Sequence, residues 1–237
     1  MSKKRPGVDA TIRLSKSIDP SLWMQVDGDK DGLIDDKLQE MADDLALALS
    51  DGTKACLTKA DLLDIVIPWK FAVGKPRNGL LGKLRSNSDA DVTKWTKVGI
   101  SHVRNIKGDA SDDDVSIAMG KITELKGVGP AAASAILSMV RPDLFCYMYD
   151  EVIDCFLPKR AYTLKVYMAC NAKCGQIARE LKGDWNPAKV ARTLWVAARS
   201  SANRKDTAKD KDSPPGKKKR ASNVDQPAET SKRQRRK

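Results

Sequence analysis

Aromatic residues are scarce in this 237-residue chain, at 5 %, which disfavours an aromatic-rich β-sandwich or propeller. Long apolar runs are missing. No stretch of about 18 apolar residues occurs, so a membrane-spanning helix is excluded. Histidine is represented only by His102, so no histidine cluster for a metal exists, and His102 itself reads as a structural or exposed residue. Five cysteines (Cys56, Cys146, Cys155, Cys170 and Cys174) form no tight framework, and reduced thiols are the expectation. The N-terminus, Met-Ser-Lys-Lys-Arg-Pro-Gly, leads into no apolar segment, so no secretory leader is expected. What is present is a 41 % hydrophobic fraction, enough to bury a core, so a wholly disordered chain is excluded. The length fits one domain with tails.

The net charge of +12 is unevenly placed. Residues 1–16 carry +4 and residues 201–237 carry +8, whereas residues 17–200 sum to zero. Inside the body, residues 17–68 carry −8, residues 69–110 carry +6 and residues 111–200 carry +2. Such a partition allows one face to meet phosphates while another does not. The organisation expected is a basic disordered N-terminus over 1–16, a folded domain over 17–200 and a disordered basic tail over 201–237. Val224 is the only large aliphatic residue in that tail, so little there can offset the entropy of ordering. The tail holds two basic clusters, Lys217-Lys218-Lys219-Arg220 after Pro214-Pro215-Gly216, and Lys232-Arg233-Gln234-Arg235-Arg236-Lys237. Clusters of this kind read as nuclear import signals, implying an import receptor as partner and the nucleus as location; nucleic-acid patches or a solubilising tail are the alternatives. Ser213-Pro214 beside the first cluster is a phosphorylation-switch pattern.

The body reads as all-α. Gln39 to Leu49 places Leu38, Met41, Leu45 and Leu49 at helical spacing. Thr58-Lys59-Ala60-Asp61 opens a helix that Pro68 is expected to close. Trp69 to Lys75 is the one stretch of doubtful type. Ser111-Asp112-Asp113-Asp114 caps a helix with Val115, Ala118, Met119, Ile122 and Leu125 inward. Pro130 opens another with Ala133, Ile136, Leu137 and Val140 on one face. Thr163 to Leu181 reads as a long helix, and Asn186-Pro187 caps a last one with Val190, Leu194 and Ala197 inward.

The most informative segment is Leu125-Lys126-Gly127-Val128-Gly129-Pro130-Ala131-Ala132-Ala133. Two glycines around one aliphatic residue permit positive φ and a tight turn between two helices. The alanines let the second helix pack closely. Such a turn exposes main-chain N–H groups at a helix N-terminus, where they can hold a phosphate without regard to base sequence. A packed Gly-rich connector is the plainer reading of the same residues.

This segment, over about residues 113–140, resembles the helix-hairpin-helix of DNA repair proteins. Thirteen residues after Pro130 begins Asp143-Leu144-Phe145-Cys146-Tyr147-Met148-Tyr149-Asp150-Glu151-Val152. That spacing is similar to the helix-hairpin-helix DNA glycosylase superfamily, where a loop carries a catalytic Asp at a helix start. A closer likeness is to its Amun-like nuclear eukaryotic branch. Trp69-Lys70, Gly74-Lys75-Pro76-Arg77, Leu80-Leu81, Ser86-Asn87, Tyr162-Thr163-Leu164-Lys165-Val166-Tyr167 and Trp185-Asn186-Pro187 carry it. The resemblance implies a glycosylase-like helical bundle, duplex DNA bound through its phosphate backbone, and a nuclear, monomeric protein. Its DNA-binding residues are expected to be Lys126, Gly127, Val128 and Gly129 of the hairpin, with Lys70, Lys75, Arg77, Lys83 and Arg85 of the basic stretch. A monovalent or divalent cation at the hairpin is the one cofactor it allows.

Three departures qualify that likeness. Where bifunctional members carry a Schiff-base lysine, two residues after the second glycine, this chain has Ala131, so an imine at that position is excluded. Cys155, Cys170 and Cys174 are too few and wrongly spaced for an iron–sulfur cluster. Tyr149 occupies the place of the catalytic Asp, with Asp150 one residue later, a turn of about 100° on a helix. Asp150 is the candidate catalytic residue; the alternative is a helix-capping acid, with Glu151 adding favourable dipole charge. A carboxylate there would stabilise positive charge on the sugar as a base leaves, or activate water.

Two further signals are weaker. Asp27-Gly28-Asp29-Lys30-Asp31-Gly32-Leu33-Ile34 resembles the start of an EF-hand loop, but Leu38 stands where the bidentate Glu belongs and no convincing ten-residue helix fits before Asp27, so it reads as an acidic turn. Cys170 and Cys174, four apart on a helix, read as buried thiols rather than metal ligands. No metal site is assigned.

Three function classes follow: a monofunctional base-excising enzyme without lyase activity, a non-catalytic nucleic-acid or chromatin adaptor on the same fold, and an acidic scaffold using residues 17–68 to hold a basic partner. The tail gives a direct test of location. A tagged chain truncated after Ser200 should lose nuclear accumulation in live-cell imaging; enrichment equal to that of the full chain would remove the tail from import.

Overall fold

The computed structural model describes residues 7–211, and every regular element in that range is helical. In chain order these are α1 (Val8–Ser15), α2 (Pro20–Gly28), α3 (Asp36–Ser50), α4 (Ile67–Val73), α5 (Leu80–Arg85), α6 (Asp89–Arg104), α7 (Asp112–Thr123), α8 (Pro130–Val140), α9 (Asp150–Phe156), α10 (Leu164–Leu181) and α11 (Pro187–Lys211). A π-helical segment, Asp61–Val66, runs directly into α4. No described helix is long and apolar enough to cross a membrane.

The helix starts follow their capping chemistry. Ser111 and Asp114 form a reciprocal capping box at α7. Thr163 Oγ1 accepts from Val166 N–H at α10, and Asn186 Oδ1 accepts from Lys189 N–H at α11. Pro68 does not close the helix before it, contrary to the sequence reading. Thr58 and Asp61 open that helix as expected, but the π register intervenes before the proline. A wider turn accommodates a ring that lacks an N–H and crowds the preceding carbonyls, and the chain continues as α4 through Trp69 to Val73.

Two groups of helices share the core. In one, α8 is central: every residue from Ala132 to Val140 is buried, and α3, α4, α6 and α7 pack around it. In the other, α11 is central, with α1, α2, α9 and α10 against it. Helix α10 bridges the groups by touching α7 and α8. At the junction lies a buried aromatic cluster of Trp69, Tyr147, Tyr149 and Trp195. Trp195 Nε1–H donates to Val73 O at 2.9 Å, tying α11 to the end of α4.

Two sequence expectations change. The N-terminal segment is not disordered over its whole expected length: α1 packs on α9 and α11, with Thr11 and Leu14 buried. Gly7 makes this docking feasible. It has φ +82°, and a Cβ there would run into the Ala198 backbone. Helix α11 continues to Lys211, eleven residues into the segment expected to be disordered, while both basic clusters, Ser213-Pro214 and residues 1–6 lie outside the described residues. Helix α2, nine residues long, runs through Asp27 into the acidic turn. The Asp27 carboxylate is engaged there, accepting from Arg192 and from Thr193 Oγ1 at 3.0 Å. That engagement makes Asp27 part of the α2–α11 packing. Cys146, Cys170 and Cys174 are buried free thiols, and burial pushes the Cys170 thiol up to about 12. His102 pairs with Asp114 at 3.3 Å, joining α6 to the cap of α7.

The docked α1 is testable. Leu14→Ala should destabilise the chain by about 2–5 kcal/mol, the usual range for truncating a buried leucine. Urea unfolding read by far-ultraviolet circular dichroism measures it; an unchanged midpoint would return α1 to the status of a passive tail.

Candidate functional site

The site begins with a stretch that has no secondary structure of its own. Between α8 and α9 the chain runs through Leu144, Phe145, Cys146, Tyr147, Met148 and Tyr149, all buried. Buried backbone without a helix or ladder needs other partners. Asn171 of α10 supplies two: its Oδ1 accepts from Cys146 N–H at 2.7 Å, and its Nδ2 donates to Leu144 O at 2.9 Å. Ser134 of α8 accepts from Met148 N–H at 3.0 Å. The segment is thereby fixed between both helical groups, and it delivers Asp150 as the first residue of α9.

Asp150 does not cap α9 with its side chain. Its Oδ1 accepts from the Tyr162 hydroxyl at 2.6 Å, and its Oδ2 pairs with Arg160. Arg160 also holds Asp154, so one guanidinium is shared by two carboxylates. Burial and the bond to Asp150 push the Tyr162 phenol up, which keeps it a donor. Tyr149, which occupies the resemblance's Asp position, is buried in the aromatic cluster.

These groups line a pocket of about 200 Å³. Drug-sized ligands occupy roughly 300–1,000 Å³, so this volume suits one sugar or one planar base. Its wall combines Lys70, Lys75 and Arg77 with Ala131, Asp150, Arg160 and Tyr162. Arg77 stacks on the Tyr162 ring at 4.2 Å. Four cations face the single carboxylate of Asp150 in that lining, so the pocket favours an anionic ligand. A larger groove of about 530 Å³ opens on the other side of Tyr147 and Tyr149, between α3 and α11. Two of its cations are already engaged, Arg192 with Asp27 and Lys189 with Asp184.

Beside the pocket is the turn between α7 and α8. Gly127 has φ +81°, and a Cβ there would lie 3.0 Å from the Lys83 Cβ, so α5 packs directly on the turn. Asn87, buried just after α5, clamps it. Asn87 Oδ1 accepts from Lys126 N–H at 2.8 Å, and its Nδ2 donates to Lys126 O and Leu84 O, each at 2.9 Å. One expected donor is spent: Val128 N–H donates to Leu125 O at 3.0 Å and its side chain is buried, because a turn this tight closes on itself. The amides of Gly127, Gly129 and Ala131 make no such bond among the described residues.

The structure thus brings Lys70, Lys75, Arg77 and Asp150 into one pocket and sets Lys83 against the turn. Lys126, Gly129, Lys75, Arg77, Lys83 and Arg85 are exposed, whereas Lys70 is only 8 % exposed. Glu151 does not line the pocket; it pairs with Arg199 at 3.4 Å, and burial pushes its carboxyl above the usual range. Arg160 and Asn171 were not singled out in the sequence reading, and Asn87 and Tyr162 entered it only among the residues that carry the resemblance. Their bonds to Asp150, Cys146 and Lys126 span 10 to 39 residues, beyond any helical periodicity. No described cluster of three metal-ligating side chains occurs. No protein-family model, curated protein or solved structure matches the chain.

Asn87→Ala removes both bonds that hold the Lys126 peptide. It should cost about 1–3 kcal/mol, the range for stranding buried polar groups. The urea midpoint reads this, and a change within error would mean that the turn holds itself.

Proposed function

We propose that this chain is a nuclear DNA-binding protein of helix-hairpin-helix, glycosylase-like fold that receives one nucleotide drawn out of duplex DNA and cleaves its base–sugar bond. The observation that carries the reading is the cationic, single-residue-sized pocket in which Arg160 and Tyr162 hold Asp150, next to a turn with unpaired amides. The Gly127, Gly129 and Ala131 amides take a phosphate by backbone donors and the N-terminal dipole of α8. Lys126, Lys83, Arg85, Lys75 and Arg77 extend that contact along the backbone.

Inside the pocket, Asp150 is the ionised group that faces the sugar. As the base departs, positive charge grows on the ring, and a carboxylate already fixed by two partners stabilises it with little reorganisation. Arg160 keeps its second partner, Asp154, throughout. The tail clusters would supply the import address, and an import receptor is the implied partner.

A second reading has its own support. Both Asp150 oxygens already have partners, as they would in a non-catalytic adaptor where Asp150 only joins α9 to the strand of chain before α10.

A panel of duplexes with single damaged bases separates the two. Wild type should release one base class, seen as alkali-labile sites. Asp150→Asn, which keeps the shape and loses the charge, should lower excision on the order of a hundredfold or more and leave duplex affinity within twofold. Inactivity on every base, with binding intact, favours the adaptor.

A further inference from the structure

The large groove between α3 and α11 takes no part in the proposed reaction, yet two of its features call for an occupant. The first is charge. Asp31, Asp36 and Asp43 line the groove and are exposed. Asp31 and Asp36 make no hydrogen bond or ion pair with any described residue, and Asp43 accepts only from Gln39 Nε2, at 2.8 Å. Lys189 and Arg192 of the same lining are committed to Asp184 and Asp27, which leaves Lys30 as its one uncommitted cation among the described residues. The second feature lies at the buried end. Tyr149 is 4 % exposed, and its hydroxyl has no hydrogen-bond partner among the described residues. Burial pushes that phenol above its ordinary range, so it stays protonated, and the charge of Arg192 in the groove wall opposes the shift. The Tyr149 ring stacks on Trp195 at 5.7 Å, while at the open edge Leu47 is 63 % exposed. A cation on a long apolar stem fits this lining: its methylenes cover Leu47 and its head meets an aromatic face, a free hydroxyl oxygen or a carboxylate.

The chain itself supplies such a peptide. Helix α11 forms one wall of the groove and ends at Lys211, the last described residue. From Arg192 to Lys211 the helix rises about 28 Å, at 1.5 Å per residue. Lys217 stands six residues past Lys211, a maximal reach of about 20 Å, so the first basic cluster begins short of that span. Lys232 stands 21 residues past Lys211, and a flexible chain of that length has a root-mean-square span of about 25 Å, close to the distance to be covered. The effective concentration of a tethered ligand is greatest where span and tether match. We propose that the α3–α11 groove is a binding site for a lysine- and arginine-rich peptide, and that its occupant is Lys232-Arg233-Gln234-Arg235-Arg236-Lys237 of the same chain. One cationic side chain enters past Leu47, lies against Trp195 and donates to the Tyr149 hydroxyl oxygen; the others meet Asp31, Asp36 and Asp43. Bound there, the cluster is withheld from an import receptor and from DNA. None of this depends on the small pocket or its chemistry.

The full-length chain is treated with a carbodiimide, which joins a carboxylate to a nearby amine as an amide, and the links are mapped by peptide mass analysis. Asp112 and Asp113, exposed acids at the start of α7, serve as internal controls. Lys232 and Lys237 should link to Asp31, Asp36 or Asp43 at least tenfold more than to those two. In an equal mixture of unlabelled and heavy-nitrogen chains, each linked pair should carry a single label. Asp36→Lys with Asp43→Lys should lower the links at least tenfold with the helical spectrum unchanged. Adding Lys232→Glu, Arg233→Glu and Lys237→Glu should restore linkage between the reversed groups. Links spread evenly over groove and control acids, or none from the tail, overturn the proposal. Pairs carrying both labels give the groove to the tail of a second copy and overturn it as well. Because the mapping uses wild type, these outcomes hold even if the variants misfold.

Discussion

The constraint on which the rest depends is a buried segment with no ladder and no helix. Leu144 to Tyr149 crosses the centre of the molecule; two side chains, Asn171 and Ser134, take three of its backbone groups, and the Leu144, Phe145 and Tyr149 amides bond to nearby backbone carbonyls. An unpaired buried amide or carbonyl costs about 1–3 kcal/mol, so these bonds decide whether the segment can be buried at all. Phe145 enters the core, and Tyr147 and Tyr149 build the aromatic wall with Trp69 and Trp195. That wall separates the large groove from the small pocket, and its last residue sets Asp150 at the start of α9.

A second fixed point complements it. Asn87 holds the Lys126 peptide from both sides, and Gly127 lets α5 approach to contact distance. The basic stretch and the α7–α8 turn, separated by some forty residues in the chain, thereby become one surface. Lys83 meets the turn, Lys75 and Arg77 meet the pocket, and the exposed acids of α3 lie in the separate −8 region of residues 17–68.

How much of this was legible follows from range. Local signals were read well: the Ser111–Asp114 box, Pro130 at the start of α8, Thr163 before α10 and Asn186 before α11 all act within four residues. Pro68 misled because a π register is invisible to a rule that treats proline as a stop. The N-terminus misled because its five basic residues outweighed the small apolar set that α1 buries, and nothing local announces that Gly7 fits against α11. In the pocket, the basic stretch was found by composition, and Asp150 through the resemblance to the glycosylase superfamily. Arg160, Tyr162 and Asn171 were not, since their partners are distant and each is an ordinary residue where it stands.

The pocket's electrostatics explain why Asp150 and Lys70 can coexist there without cancelling. A lone carboxylate beside a lone lysine would form an ion pair, and each would be spent on the other. Instead Arg160 and Tyr162 saturate Asp150, and Arg160 is itself balanced by Asp154. Lys70 is left near Asp150 but not bonded to it, with the Arg77 charge acting against its own. Burial and the like charge of Arg77 push the Lys70 ammonium below its ordinary value, and Asp150 opposes that shift. A carboxylate and an amine thus line one pocket without pairing, because Arg160 and Tyr162 already hold the carboxylate.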